Sequence, residues 1–105
     1  MAEETEQMSI ADWRAQIDEV DAELLRLLNR RASLAARIGA FKRHAGLPLY
    51  DAMRERDVLA RACRDNRGPL DERAVVEIFR HVIRESRRVE ARGVTQDAGL
   101  WEGAL

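Results

Sequence analysis

The chain has 105 residues, 18 basic and 19 acidic for a formal net charge of −1, with 5% aromatic and 35% charged side chains. That length holds one domain, near the lower limit at which a single chain buries a secure core, so help from a partner chain is expected. The balanced charge gives no global field for nucleic acid, and no run approaches the ~20 apolar residues of a membrane span, so neither partner is expected.

With only two prolines and much Leu, Ala, Arg and Glu, the composition favours long helices over sheet. Residues 1–8, MAEETEQM, are acidic and lack an apolar centre, which speaks against a secretory or transit signal and predicts a flexible segment before a cytoplasmic domain. A single cysteine, Cys63, excludes an intrachain disulfide.

The first helix is expected to begin at Ser9, which can cap the backbone while Asp12, three residues on, completes a capping-box-like SIAD. Nothing breaks it before Gly46 and Pro48, and at ~1.5 Å per residue about 36 residues make a rod of roughly 54 Å, longer than a globule of this size is wide. Trp13, Ile17, Val20, Leu24, Leu27, Leu34, Ile38 and Phe41 form an apolar seam along it. Pairing two chains along that seam would cover it, which predicts an intertwined, all-helical homodimer.

Arg31 interrupts the seam with a cation where a packing leucine belongs. A buried charge needs an anionic partner, either a carboxylate such as Glu55 or a ligand, and the rest of the chain favours the ligand. Lys42 follows 11 residues later, within about 20° of the same face and roughly 16 Å along the axis, so a small dianion would fit between the two; the alternative is a solvated lysine near a helix end. Arg14 precedes Arg31 by 17 residues, about 25 Å away, and cannot share a small ligand with Arg31 of its own chain, although an antiparallel partner's could.

After the turn HAGLPLYD, a shorter second helix is expected from Asp51, with Met53, Val58, Leu59 and Ala62 inward. Asp51 and Glu55 suit its N-terminus, whereas Arg54 opposes the helix dipole unless partnered. NRGPLD forms the next turn. Asp71 caps a third helix with Leu70 as a hydrophobic staple, and Val75, Phe79, Val82, Ser86 and Val89 form its buried stripe up to Gly93. Ser86 in that stripe and Glu90 one turn later point to one side, an odd polar end to a core face unless the helix simply frays there. The helical domain is therefore expected over residues 9–93. Residues 94–105 lack periodicity and are expected to be a mobile tail, either disordered without function or offering Leu100, Trp101 and Leu105 for docking.

No nucleophile with a base, no metal-ligand spacing and no glycine-rich phosphate loop is found; His44 and His81 are expected on the surface, and Cys63 as a packing residue. What is left is a site of cations and donors suited to electrostatic stabilisation of an anionic molecule.

The run of Arg14, Ile17, Asp18, Asp21, Leu24, Leu25, Leu27, Leu28, Arg31, Leu34, Ala35, Ile38, Gly39 and Lys42 is followed at matching spacing by Pro48, Asp51, Arg54 and Glu55. Gly68, Pro69 and Leu70 come next, then Ile78, Phe79, Ile83, Ser86 and Glu90. Over about residues 10–92 this pattern closely resembles the all-α class of chorismate mutases. The resemblance implies an intertwined three-helix homodimer that converts chorismate to prephenate, on the way to phenylalanine and tyrosine, with no cofactor and no metal. It implies that Arg31 and the partner subunit's Arg14 hold the two substrate carboxylates, that Lys42 reaches the ether oxygen, and that Glu55 binds the ring hydroxyl. Asp51, Arg54 and Ser86 would complete the pocket. Glu90 would be the second donor to the ether oxygen; some members have glutamine there and others glutamate, and since an ionised carboxylate cannot donate, Glu90 would have to be protonated when it acts. Isochorismate pyruvate lyase is the nearest enzyme alternative, against which the intact DAMRE segment speaks. The other alternative is a helical dimerisation module, or a subunit that binds a larger shikimate-pathway enzyme, neither of which needs Arg31 and Lys42.

Overall fold

A computed structural model describes residues 8–92. They form three helices, α1 (Ile10–Ala45), α2 (Ala52–Asp65) and α3 (Glu72–Glu90), with no strand among the described residues. The all-α expectation holds, and each helix starts where its cap predicts. Residues 1–7 and 93–105, and with them the expected docking residues Leu100, Trp101 and Leu105, lie outside the described residues.

Ser9 and Asp12 close a reciprocal capping box: the Ser9 N–H donates to Asp12 Oδ2 at 2.9 Å and the Asp12 N–H to Ser9 Oγ at 3.3 Å. At the other end of α1 the Leu47 N–H returns to the Lys42 carbonyl at 2.7 Å and the Gly46 N–H to that of Arg43 at 3.2 Å. This double closure requires a left-handed residue, and Gly46 supplies it with φ +71°. The chain is thereby turned back so that Leu49 comes alongside Lys42.

Asp51 caps α2, accepting from the Arg54 N–H at 3.0 Å, and Asp71 caps α3, accepting from the Ala74 N–H at 2.8 Å. One inward residue of α2 needs correction. Met53 is 70% exposed, whereas Ala52, Glu55, Val58, Leu59, Ala62 and Cys63 are half-buried at three-to-four spacing. Met53 stands 100° round from Ala52 and so falls off that face. Helix α3 buries Val75, Ile83 and Ser86 and half-buries Phe79, Val82 and Val89. It ends at Glu90, three residues before Gly93, because the Ala91 and Arg92 N–H groups already close on the Arg87 and Val89 carbonyls.

The chain divides into two compact units, Met1–Arg30 and Arg31–Leu105. Within the second, α1 buries not the large apolar residues of the seam but Ala36, Gly39 and Ala40; Leu34, Ile38 and Phe41 remain exposed. Small residues win that face because another backbone comes close there, as described below. In the first unit Ile10, Trp13, Ile17, Val20, Leu24 and Leu27 are all exposed. No helix among the described residues is long and apolar enough to cross a membrane.

Candidate active site

The second unit contains a cavity of about 300 Å³. That is at the small end of the ~300–1,000 Å³ typical of ligand sites, enough for a compact metabolite. Its lining contains Arg31 and Lys42 from α1, Asp51, Arg54 and Glu55 from the start of α2, and Ser86 and Glu90 from the end of α3. Seven of the eight residues singled out from the sequence thus converge on one space. The eighth, Arg14, is exposed on α1 in the first unit and does not line it.

Arg31 is half-buried, and its Nη1 donates to Ser86 Oγ at 2.6 Å. Ser86 itself is only 6% exposed, so its place in the α3 stripe is explained as a neutral acceptor for a guanidinium. Among the described residues no carboxylate lies within ion-pair distance of Arg31 or of Arg54. The ion pair between Arg31 and Glu55 weighed above is therefore not formed; Glu55 is taken by Arg87. Burial, and then the positive charge of Arg54, push the Arg31 guanidinium below its ordinary value. Both causes penalise the cation, and the opposite charge of an anion in the cavity would offset them.

Lys42 is not a solvated lysine at a helix end. Its side chain is 21% exposed, its Nζ donates to the Leu49 carbonyl at 3.1 Å and stands 3.7 Å from Glu90 Oε1. An ammonium has three N–H donors, so donor capacity remains after Leu49. Glu90 Oε1 is buried with no hydrogen-bond partner. A buried oxygen without a partner in a cavity wall is one that a bound water or a ligand donor can satisfy. The two groups expected to meet one oxygen therefore stand side by side.

Asp51 divides its role, since its carboxylate already caps α2 while lining the cavity. Arg87 was missed by sequence reading. It also lines the cavity, bonds to Glu55 and lies 4.8 Å from the centroid of the Tyr50 ring, within cation–π range. It is one residue beyond Ser86, off the buried stripe, and no local pattern marks it. A second cavity, about 460 Å³, also has Arg31, Arg54 and Val58 in its wall, so the two arginines stand at both spaces. No group of three or more His, Cys, Asp or Glu among the described residues could hold a metal ion.

Comparison with known proteins agrees with this geometry. The family model described as chorismate mutase type II matches residues 13–91. A bifunctional chorismate mutase/prephenate dehydratase of Aquifex aeolicus is 41% identical over 78 residues, which is 70% of this chain but 22% of that protein; the chain spans about a fifth of such relatives. A chorismate mutase of Methanocaldococcus jannaschii is 30% identical over 84 residues, covering 77% of this chain and 83% of that one. The solved structure of a chorismate mutase (form II) from Thermus thermophilus superposes with a TM-score of 0.77 at 35% identity, over 79% of this chain and 94% of that one. A match that runs through all three helices and takes in every residue of the cavity leaves one conclusion, that this chain belongs to the chorismate mutase type II family.

Proposed function

We propose that the chain is a chorismate mutase, converting chorismate to prephenate at the branch leading to phenylalanine and tyrosine. The observation that carries this is Arg31, a half-buried cation with no anionic partner, lining the same cavity as the Lys42 and Glu90 pair. The reaction is an intramolecular [3,3] shift: the ether C–O bond breaks as a C–C bond forms, and no proton or group leaves. Catalysis then needs only a compact substrate conformer and donors aimed at charge developing on the ether oxygen. No nucleophile, metal or cofactor takes part.

In this reading Arg31 binds one substrate carboxylate and the partner subunit's Arg14 takes part in holding the carboxylates. Lys42 and protonated Glu90 donate to the ether oxygen, and Glu55, held by Arg87, accepts from the ring hydroxyl. Asp51, Arg54 and Ser86 complete the wall. The exposed seam from Trp13 to Phe41 supports a homodimer paired along α1. Fusion to a prephenate dehydratase in the Aquifex aeolicus relative supports association with a pathway enzyme that consumes the product, and a cytoplasmic setting fits that chemistry.

The test is to mix purified protein with chorismate, follow its loss, and identify the product as prephenate through its acid conversion to phenylpyruvate. Release of pyruvate from isochorismate without mutase activity would overturn the assignment. For the shared site, Arg14→Ala and Arg31→Ala proteins, each inactive, should regain part of the activity on mixing, because a heterodimer has one site with both arginines. Fully exchanged mixtures that stay inactive would refute the sharing.

A further inference from the structure

The last carbonyls of helix α3 find no N–H donor within the helix, and each must be satisfied elsewhere. The Arg87 carbonyl receives the Ala91 N–H at 2.9 Å and that of Val89 the Arg92 N–H at 3.2 Å. The Glu90 carbonyl is instead taken across the helix interface by the Arg43 guanidinium of α1. A cation at a helix C-terminus is also favoured by the helix dipole.

Gly39 lies one turn before Arg43 on the same face of α1. Glycine is among the poorest formers of a helix interior, so a packing reason is called for. The structure supplies it: a Cβ at position 39 would stand 2.5 Å from the Glu90 carbonyl oxygen and 2.6 Å from Glu90 Cγ. The nearest obstacle is backbone and cannot swing aside. To reach even 3.4 Å, the onset of ordinary contact, the carbonyl would have to withdraw by about 0.9 Å.

We infer that Gly39 and Arg43 are positioning residues, a notch and a clamp that together seat the end of α3 against α1 so that Glu90 Oε1 is held beside Lys42 in the cavity wall. The geometry leaves little slack, since Oε1 stands 3.7 Å from Lys42 Nζ and is buried with no hydrogen bond of its own to hold it. Neither residue has to touch substrate. Their effect passes through Glu90, and it rests on the function proposed above, in which Glu90 donates to the reacting oxygen.

A displacement near 1 Å at a reacting group can cost roughly a hundredfold in rate, so Gly39→Ala is expected to lower kcat by about tenfold or more with little change in KM. Turnover should be measured for Gly39→Ala and Arg43→Met, each alone and combined with Glu90→Ala. A positioning role predicts that both lose their effect once Glu90 is absent, to within about threefold, whereas a general packing role predicts the same loss in both backgrounds. Equal losses in the two backgrounds, or an unchanged kcat, would overturn the inference. If Gly39→Ala lacks the helical signal of the parent, Arg43→Met decides, because it inserts nothing. An unmodified protein that makes no prephenate would overturn the proposed function instead, and crystal structures of the two variants then judge the seating: Glu90 is expected to move away from Lys42, and an unmoved Glu90 refutes it.

Discussion

Replacing Ile17 and Leu24 together by alanine should dissociate the proposed dimer while leaving each chain helical. They are one heptad apart on one face of α1, and in the single chain they are 56% and 50% exposed. Full burial of such a side chain contributes about 1.5–3 kcal/mol, so about half of that, near 1 kcal/mol, is available to a partner at each position. Two positions on two chains give about 4 kcal/mol, or roughly a thousandfold in the dimer dissociation constant. Alanine is the better helix former, so loss of helicity does not confuse the result. Sedimentation velocity across a wide concentration range reads the dissociation constant, and chorismate turnover per chain is measured on the same samples. Activity should fall in step with dissociation, because the isolated chain's cavity lacks Arg14. An unchanged dissociation constant, or a monomer as active as the parent, would refute the reasoning.

Lys42→Ala should raise the barrier by about 3 kcal/mol, as for the loss of an oxyanion-hole donor, with a far smaller effect on KM; normal turnover with weaker binding would assign Lys42 to the ground state. Glu90→Gln, whose amide can donate to the ether oxygen, should keep most of the parent's turnover while Glu90→Ala loses it; equal turnover for the two variants would deny Glu90 the donor role. Burial, followed by the charge and side-chain hydrogen bond of Glu72, pushes the Cys63 thiol up. A raised value leaves less thiolate at a given pH, so Cys63 should alkylate with iodoacetamide more slowly than free cysteine, and Glu72→Gln should speed it; a rate equal to that of free cysteine contradicts this.

The three helices were legible in the sequence because their signals are local. Ser9 with Asp12, Asp51 and Asp71 cap within three residues of themselves, and Gly46 ends α1 through its own positive φ. The candidate site was legible for a related reason: a charged residue at a packing position, as at Arg31, or a serine in a buried stripe, as at Ser86, contradicts its surroundings, and that contradiction is visible without coordinates. Periodicity fixes which residues share a helix face, but not which faces meet. Only the tertiary structure decided that α1 turns its small residues Ala36, Gly39 and Ala40 inward and leaves the large ones exposed, because the choice depends on how closely α3 approaches. It also decided the pairing of charges. Glu55 goes to Arg87 across 32 positions, and Arg31 goes to the neutral Ser86 across 55 instead of to a carboxylate, since a few ångströms between side chains on different helices select one partner among many candidates.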